Sequence, residues 1–240
     1  MKKFAVFDID GTLYRWQLYH ELVEYLALDA KLSKDAAVTL EDTWNNWRAG
    51  DMSFDQYERV VVQTMTENLP KIAIDDFEMA CDAIVKNSAH KTYYYTRSLL
   101  YTLKAQDYCI IAITGSHQEL IDRFGQVYGF DIVVGAKYER RGNHFTGKTE
   151  VMTIGRKLEI LKQLVDEHKL SWTDSYAIGD SDGDASLLEV VDHPIAFNPS
   201  EGLFERAKSE GWPIVVERKN IAYVFGKKHQ DLVLKETVAY

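Results

Sequence analysis

Short apolar runs, each closed by an acid or a turn residue, recur along the chain. Phe4–Phe7, Cys109–Ile113, Asp131–Val134 and Tyr176–Ile178 predict buried strands, and Ile195–Phe197 predicts a fifth. Between the later runs the apolar spacing changes to that of helices. Leu120, Ile121, Phe124 and Val127 form one stripe, which stops near Gly129, and Leu158, Leu161, Leu164 and Val165 form another. Strands that alternate with helices imply an α/β fold: a Rossmann-like parallel sheet with helices on both faces.

Residues 14–105 break this alternation, because they carry no strand pattern. Tyr19, Leu22, Val23 and Leu26 repeat at helical spacing, as do Ala37, Leu40, Trp44 and Trp47. Ser53 and Gln56 form a capping box that opens a helix carrying Tyr57, Val60 and Val61, and Phe77, Cys81 and Ile84 suggest another. The expectation is a helical insert of about ninety residues forming a second, smaller domain, with residues 1–13 and 106–240 making the α/β core. Gly142-Asn143 between β-capable flanks predicts a hairpin over Lys137–Lys148, and the tail after Gly226 reads as a terminal helix.

The formal net charge of −9 argues against a surface that attracts nucleic acid or an anionic membrane. Positive charge for an anionic ligand must therefore be local. The two cysteines, Cys81 and Cys109, are too few for a thiolate metal cluster and read as reduced, buried side chains of a cytoplasmic protein. The apolar start is cut by Asp8 after four residues, shorter than the roughly 7–15 of a secretion signal, and no apolar stretch reaches the roughly 18 residues of a membrane helix.

Chemistry gathers where the strands end. The first runs into Asp8-Ile9-Asp10-Gly11-Thr12-Leu13, at the carboxyl edge where open α/β sheets bind ligands. Two carboxylates this close repel unless a cation lies between them or one is protonated, and either state is useful: one acid can attack while the other moves a proton. A strand-to-turn junction with solvated acids is the plainer alternative. The second strand runs into Thr114-Gly115-Ser116, whose hydroxyls and N–H groups precede a helix and suit an anion, or simply cap that helix. Lys157 lies in the first turn of a helix, where the macrodipole disfavours it, so it has an anionic partner or points to solvent.

Asp180, Asp182 and Asp184 follow the fourth strand, three acids that suit a hard cation such as Mg²⁺. A calcium loop beginning at Asp180 would need a glutamate at 191, where Val191 stands. All four signals fall at one edge of one sheet, a convergence that independent turns and caps do not predict.

In these ordered motifs (Asp8-x-Asp10-Gly11-Thr12-Leu13, Thr114 after an apolar strand, Lys157, and Gly179-Asp180-Ser181-x-x-Asp184) the chain resembles the haloacid dehalogenase superfamily of phosphatases. The helical insert, Phe145-Thr146-Gly147-Lys148 and the stretch from His193 to Pro199 resemble its phosphoserine phosphatase branch, in which the insert is a cap. The resemblance implies that Asp8 attacks phosphorus and that Asp10 protonates the leaving alkoxide and then activates water. It places Gly11, Thr12, Thr114, Gly115 and Lys157 against the substrate phosphate. It implies Mg²⁺ bound by the Asp8 and Asp180 carboxylates and the Asp10 carbonyl, with Asp184 supporting metal waters or Lys157. The expected substrate is a small phosphorylated metabolite. That branch also has an acidic cap residue near the position of Gln17 to read a substrate amine; Gln17 has no charge, and Glu21 is the expected substitute. A phosphomutase sharing the same two aspartates, and a catalytically silent protein keeping the fold, are the alternatives.

Overall fold

In the computed structural model, which describes residues 1–229 and 231–240, the first apolar run forms strand β1 (Lys3–Phe7). Alternation along it sends Phe4 and Val6 into one buried cluster and Ala5 and Phe7 into another. A strand buried on both faces needs a covering layer on each side. Helices α1 (Leu18–Leu28), α2 (Lys34–Ala49), α3 (Phe54–Asn68), α4 (Ile74–Ser88) and α5 (Tyr94–Ala105) come next. Local signals set several of their ends. The Ser33 hydroxyl accepts from the Ala36 N–H, Gly50 closes α2 in the left-handed region at φ 86°, and Ser53 and Gln56 form the expected capping box.

The chain then runs through β2 (Cys109–His117), α6 (Gln118–Tyr128), β3 (Ile132–Arg141), β4 (His144–Val151), α7 (Lys157–Glu167) and β5 (Ser171–Gly179). It finishes with α8 (Ala185–Leu188), β6 (His193–Phe197), α9 (Glu201–Glu210), β7 (Ile214–Arg218), β8 (Ile221–Lys228) and β9 (Asp231–Ala239). The sheet order is β4-β3-β2-β1-β5-β6-β7-β8-β9. Strand β1 pairs in parallel with β2 and β5, with Phe7 opposite Ala112 on one side and Ile178 on the other. That register releases Asp8, Thr114 and Asp180 from three adjacent strands at one carboxyl edge.

Helices α5 and α6 bring Leu100, Leu103, Leu120, Ile121 and Phe124 to the cluster of Phe7, and α7, α8 and α9 bring Leu161, Val165, Leu187 and Leu203 to that of Phe4. Helix α4 packs on α6 and aligns beside the predicted hairpin, which β3 and β4 form. The Ile74 N–H donates to the Asn143 carbonyl at 3.0 Å, and Phe77 meets Phe145 edge-on with centroids 5.1 Å apart. The insert is thereby seated on the sheet rather than hung from its two linkers.

Three expectations need correction. Helix α5, counted with the insert by the boundary at 105, packs on β2; its Tyr94 and Tyr95 N–H groups donate to Glu217 of β7, and its Thr96 hydroxyl donates to the Thr12 carbonyl. The tail is strand β9, paired antiparallel with β8 from Ile221↔Ala239 to Lys228↔Asp231, because Leu232 and Val238 each find apolar cover on opposite faces. Val127, at the end of the α6 stripe, is 56% exposed. Among the described residues no helix is long and apolar enough to cross a membrane.

Candidate active site

The end of β1 presents Asp8, whose side chain is buried and whose Oδ1 accepts from the Lys157 ammonium at 2.7 Å. The same ammonium reaches Asp184 Oδ1 at 2.6 Å. Lys157 therefore comes back from the first turn of α7 to join two carboxylates, the charge partner that its unfavourable place in the helix called for. Asp184 is held by its other oxygen, which accepts from the Ser181 hydroxyl at 2.9 Å and from the N–H groups of Ser181 and Asp180 at 3.1 and 3.2 Å. Asp180 accepts from the Thr12 hydroxyl at 3.0 Å.

Asp10 faces elsewhere. Its Oδ2 accepts from the Ser116 hydroxyl at 2.6 Å and from that of Thr114 at 3.1 Å, and its Oδ1 accepts from the Leu18 N–H at the start of α1. The two acids of the first motif thus have separate partners. One is turned to the Lys157 side, the other to a hydroxyl pocket beneath the cap.

Burial governs the ionisation of these groups. It pushes the Asp8 carboxyl up to about 7, with Lys157 opposing the shift and Asp184 and Asp10 adding to it. It also raises Asp10, against the hydrogen bonds from Ser116, Leu18 and Thr114. Asp180 is raised well above the usual carboxylate range by burial and by the charges of Asp8 and Asp184. Lys157 would be lowered by burial, but Asp184 and Asp8 overcome this and hold it protonated.

One carboxylate oxygen from each of Asp8, Asp180 and Asp184 lies within 4.8 Å of the others. Fully ionised, these three exceed the single positive charge of Lys157 by two. A divalent cation that prefers hard oxygen ligands matches both the donors and the charge. The family model of the haloacid dehalogenase-like hydrolases matches residues 5–189, which span all of these side chains. The chain belongs to that family.

Within the haloacid dehalogenase-like hydrolases, relatives share about a quarter of the sequence. A phosphoserine phosphatase of Lactococcus lactis is 26% identical over 198 residues, covering 82% of this chain and 83% of its own. A histidinol-phosphatase of Neisseria meningitidis is 23% identical, covering 90% of this chain and 99% of its own. Among solved structures, a Bordetella pertussis protein of unknown function superposes with a TM-score of 0.73 at 22% identity, covering 89% of this chain and 98% of its own. A phosphoserine phosphatase solved as a phospho-aspartyl intermediate analogue gives 0.59 at 18% identity, with 91% and 94% covered. These structural likenesses extend the shared fold, α/β core and helical cap included, across nearly the whole chain.

Two of the residues expected at the family's phosphate site have partners within the chain. The Thr12 hydroxyl goes to Asp180. The Gly11 N–H is taken by the carbonyls of Tyr14 and Trp16 at 3.1 and 2.9 Å, and Gly11 itself turns the chain at φ 81°. Thr12 thereby holds Asp180, and Gly11 lies close against the Asp180 side chain. Gly115 stands between Thr114 and Ser116, against the Ile154 side chain.

Ser116 is the residue that sequence reasoning undervalued. Read as a helix cap, it turns its hydroxyl to Asp10, and α6 starts after His117 with no side-chain cap. Glu21 is also occupied, by the Tyr14 hydroxyl and by Lys91 at 3.0 Å, so it does not replace the missing charge at Gln17. Glu58 of α3 is another acid of the cap. Half-buried, its carboxyl is raised by burial and then by the charges of Asp10 and Asp55. His117 is buried with its ring stacked 4.7 Å from Tyr138 and 5.7 Å from Tyr19 of the cap.

Proposed function

We propose that the chain is a Mg²⁺-dependent phosphatase that hydrolyses a small phosphomonoester through an aspartyl-phosphate on Asp8. The observation that carries this reading is the division of labour between the two acids of the first motif. Asp8 is fixed by Lys157 within the acid cluster, and Asp10 is fixed by Leu18, Thr114 and Ser116 two residues along. Phosphoryl transfer asks for this kind of positioning and charge neutralisation more than for elaborate covalent chemistry.

Held by Asp8, Asp180 and Asp184, with the Asp10 carbonyl as a further ligand, Mg²⁺ would supply the charge that lets an anionic phosphate approach an anionic nucleophile. The chain's own groups do the rest. An Asp8 oxygen bonds to phosphorus as the bond from phosphorus to the leaving oxygen breaks, and Asp10 gives that oxygen a proton. Asp10, now a carboxylate, takes a proton from water as the water oxygen bonds to phosphorus and the Asp8–phosphorus bond breaks. Inorganic phosphate leaves, and both aspartates return to their starting states. Its raised pKa suits Asp10 to donate first and accept later. Lys157 and Thr114, with N–H groups around Gly115, take the phosphoryl oxygens. Glu58, on the cap side of Asp10, favours a leaving group that carries a positive charge or hydrogen-bond donors.

The decisive assay follows phosphate release from p-nitrophenyl phosphate with Mg²⁺, with EDTA and in Asp8→Asn. Loss of turnover in the last two supports the mechanism; release insensitive to both overturns it. A panel of phosphomonoesters, with and without an amine, run against Glu58→Gln, then reads the leaving-group preference. An unchanged KM for the amine-bearing members would remove Glu58 from that role.

A further inference from the structure

Two chain segments join the cap to the core, 11–17 before α1 and 89–93 before α5, and they are laced together. The Arg15 N–H donates to the Lys91 carbonyl at 2.9 Å, and the Tyr93 N–H to the Leu13 carbonyl at 3.0 Å. One buried carboxylate holds their crossing from the core side. Glu217 of β7 has a side chain only 1% exposed, and it stands beyond residues 5–189, the span that the family model matches. Its Oε1 accepts from the Arg15 guanidinium and from the Tyr94 N–H at 3.1 Å, and its Oε2 accepts from the Tyr95 N–H at 2.9 Å. Arg15 Nε donates to the Thr92 carbonyl at 3.0 Å, so one guanidinium spans the first linker, the second linker and β7. The Glu217 N–H donates to Asn198 Oδ1 at 2.9 Å, which ties the strand beneath the carboxylate to the end of β6.

A carboxylate buried this far is a weak device for stability, since apolar residues of like volume often serve as well. What it adds is direction: two oxygens that face three donors, one of them charged, drawn from both linkers. The clamped segments also hold the site. Three residues after Arg15, the Leu18 N–H at the start of α1 donates to Asp10. Thr12, beside the Leu13 carbonyl that Tyr93 meets, donates its hydroxyl to Asp180, and its carbonyl accepts from Thr96 of α5. Arg15 lies over the Tyr93 ring, 5.2 Å from its centroid.

We propose that Glu217 is a positioning residue for proton transfer by Asp10. By clamping Arg15 and the start of α5 it fixes how the chain enters α1, and with that the Leu18 N–H against which Asp10 rests. The role rests on the phosphatase reading where turnover is concerned; the clamp itself does not.

Glu217→Gln keeps the shape and removes the charge, and two measurements on the full chain follow it. Hydrogen exchange at the Leu18, Tyr94 and Tyr95 amides should quicken about tenfold or more while the amides of β2 stay unchanged, the scale expected for loss of a charged hydrogen-bond partner. Kinetics compare phenyl phosphate, whose basic leaving oxygen needs a proton, with p-nitrophenyl phosphate, whose phenolate leaves without one. The reading is kcat/KM, which ends at the aspartyl-phosphate and so omits the later water step that also uses Asp10. It should fall about tenfold or more for phenyl phosphate, as for a misplaced catalytic group, and less than about threefold for the nitro ester. Equal falls for both esters would leave Glu217 a merely structural residue and overturn the proposal, as would unchanged exchange at Leu18. If the parent hydrolyses neither ester, the phosphatase reading falls and takes the proton-transfer role with it, while exchange at Leu18 still shows whether the clamp is there. Should Glu217→Gln not fold, Arg15→Met, at the exposed end of the clamp, should move both measurements in the same direction. Arg15→Lys should then lie between it and the parent, because lysine keeps the charge without the fork that reaches Thr92 as well. An Arg15→Met chain identical to the parent in both would overturn the proposal.

Discussion

Replacing Lys157 with methionine removes one buried charge and little volume. Its ammonium contacts Asp8 at 2.7 Å and Asp184 at 2.6 Å, and its side chain is 9% exposed, so solvent cannot take over the role. Breaking a buried pair by removing one partner typically costs about 3–5 kcal/mol, because the remaining charge stays unpaired. For a chain of this size that corresponds to a fall in melting temperature of roughly 6–20 °C. The catalytic loss should exceed what stability explains. Asp8 loses the neighbour that opposes its protonation, and a lost preorganised charge contact at a phosphoryl site is worth about 10²–10³ in kcat. The neighbouring Arg156→Ala is the control. Its guanidinium pairs with Glu159 at the surface, where solvent screens the pair. Turnover of p-nitrophenyl phosphate and thermal melts of both variants decide the matter. A folded Lys157→Met enzyme within about threefold of the parent kcat would refute the view that Lys157 charges and orients the nucleophile.

Ser116→Ala, which removes the 2.6 Å bond to Asp10, should lower kcat by about 10–100-fold with little change in KM, since a hydrogen bond to a charged group is worth about 1.5–3 kcal/mol; stopped-time kinetics giving parent kcat would dismiss Ser116 from proton transfer. Mg²⁺ at a hundredfold excess over its dissociation constant should stabilise the fold by about 2.7 kcal/mol, seen as a rise in melting temperature that Asp180→Asn abolishes and EDTA reverses. Acid should unfold the protein through its buried histidines. Burial lowers His20 to about 4 and His117 to about 3, from 6.5 in the open chain, so the unfolded state takes up protons first as pH falls. Stability is then full above 6.5 and declines toward 4, and melts of His20→Phe over that window should show a shallower decline; an identical slope would contradict it.

The parallel centre of the sheet was legible because β1, β2, β5 and β6 each contain a short buried apolar run, such as Ala5–Phe7 and Ile110–Ile113. The acids of the site were legible because each follows such a run. The antiparallel edge was not. Strand β9, Asp-Leu-Val-Leu-Lys-Glu-Thr-Val-Ala, mixes strong helix formers with a largely exposed surface, and only pairing with β8 decides its conformation. Helix α5 carries the same kind of apolar stripe as the cap helices, and nothing in that stripe says which layer it will cover. Ser116 meets Asp10 from a neighbouring strand, and no spacing along the chain encodes that meeting.

The central place of β1 has a consequence for the order of assembly. Phe4 pairs with Cys109 and Ala5 with Tyr176, so β1 is made well before either of the strands that flank it. The helices between them can gather locally while it waits, since contacts close in sequence form soonest. Until β5 is available, Asp8 has one flanking strand and lacks Asp180 and Asp184, which follow it. The acid cluster is then completed late in synthesis, and a ribosome-bound chain that stops short of β5 should carry a settled cap beside an Asp8 without its two acidic neighbours.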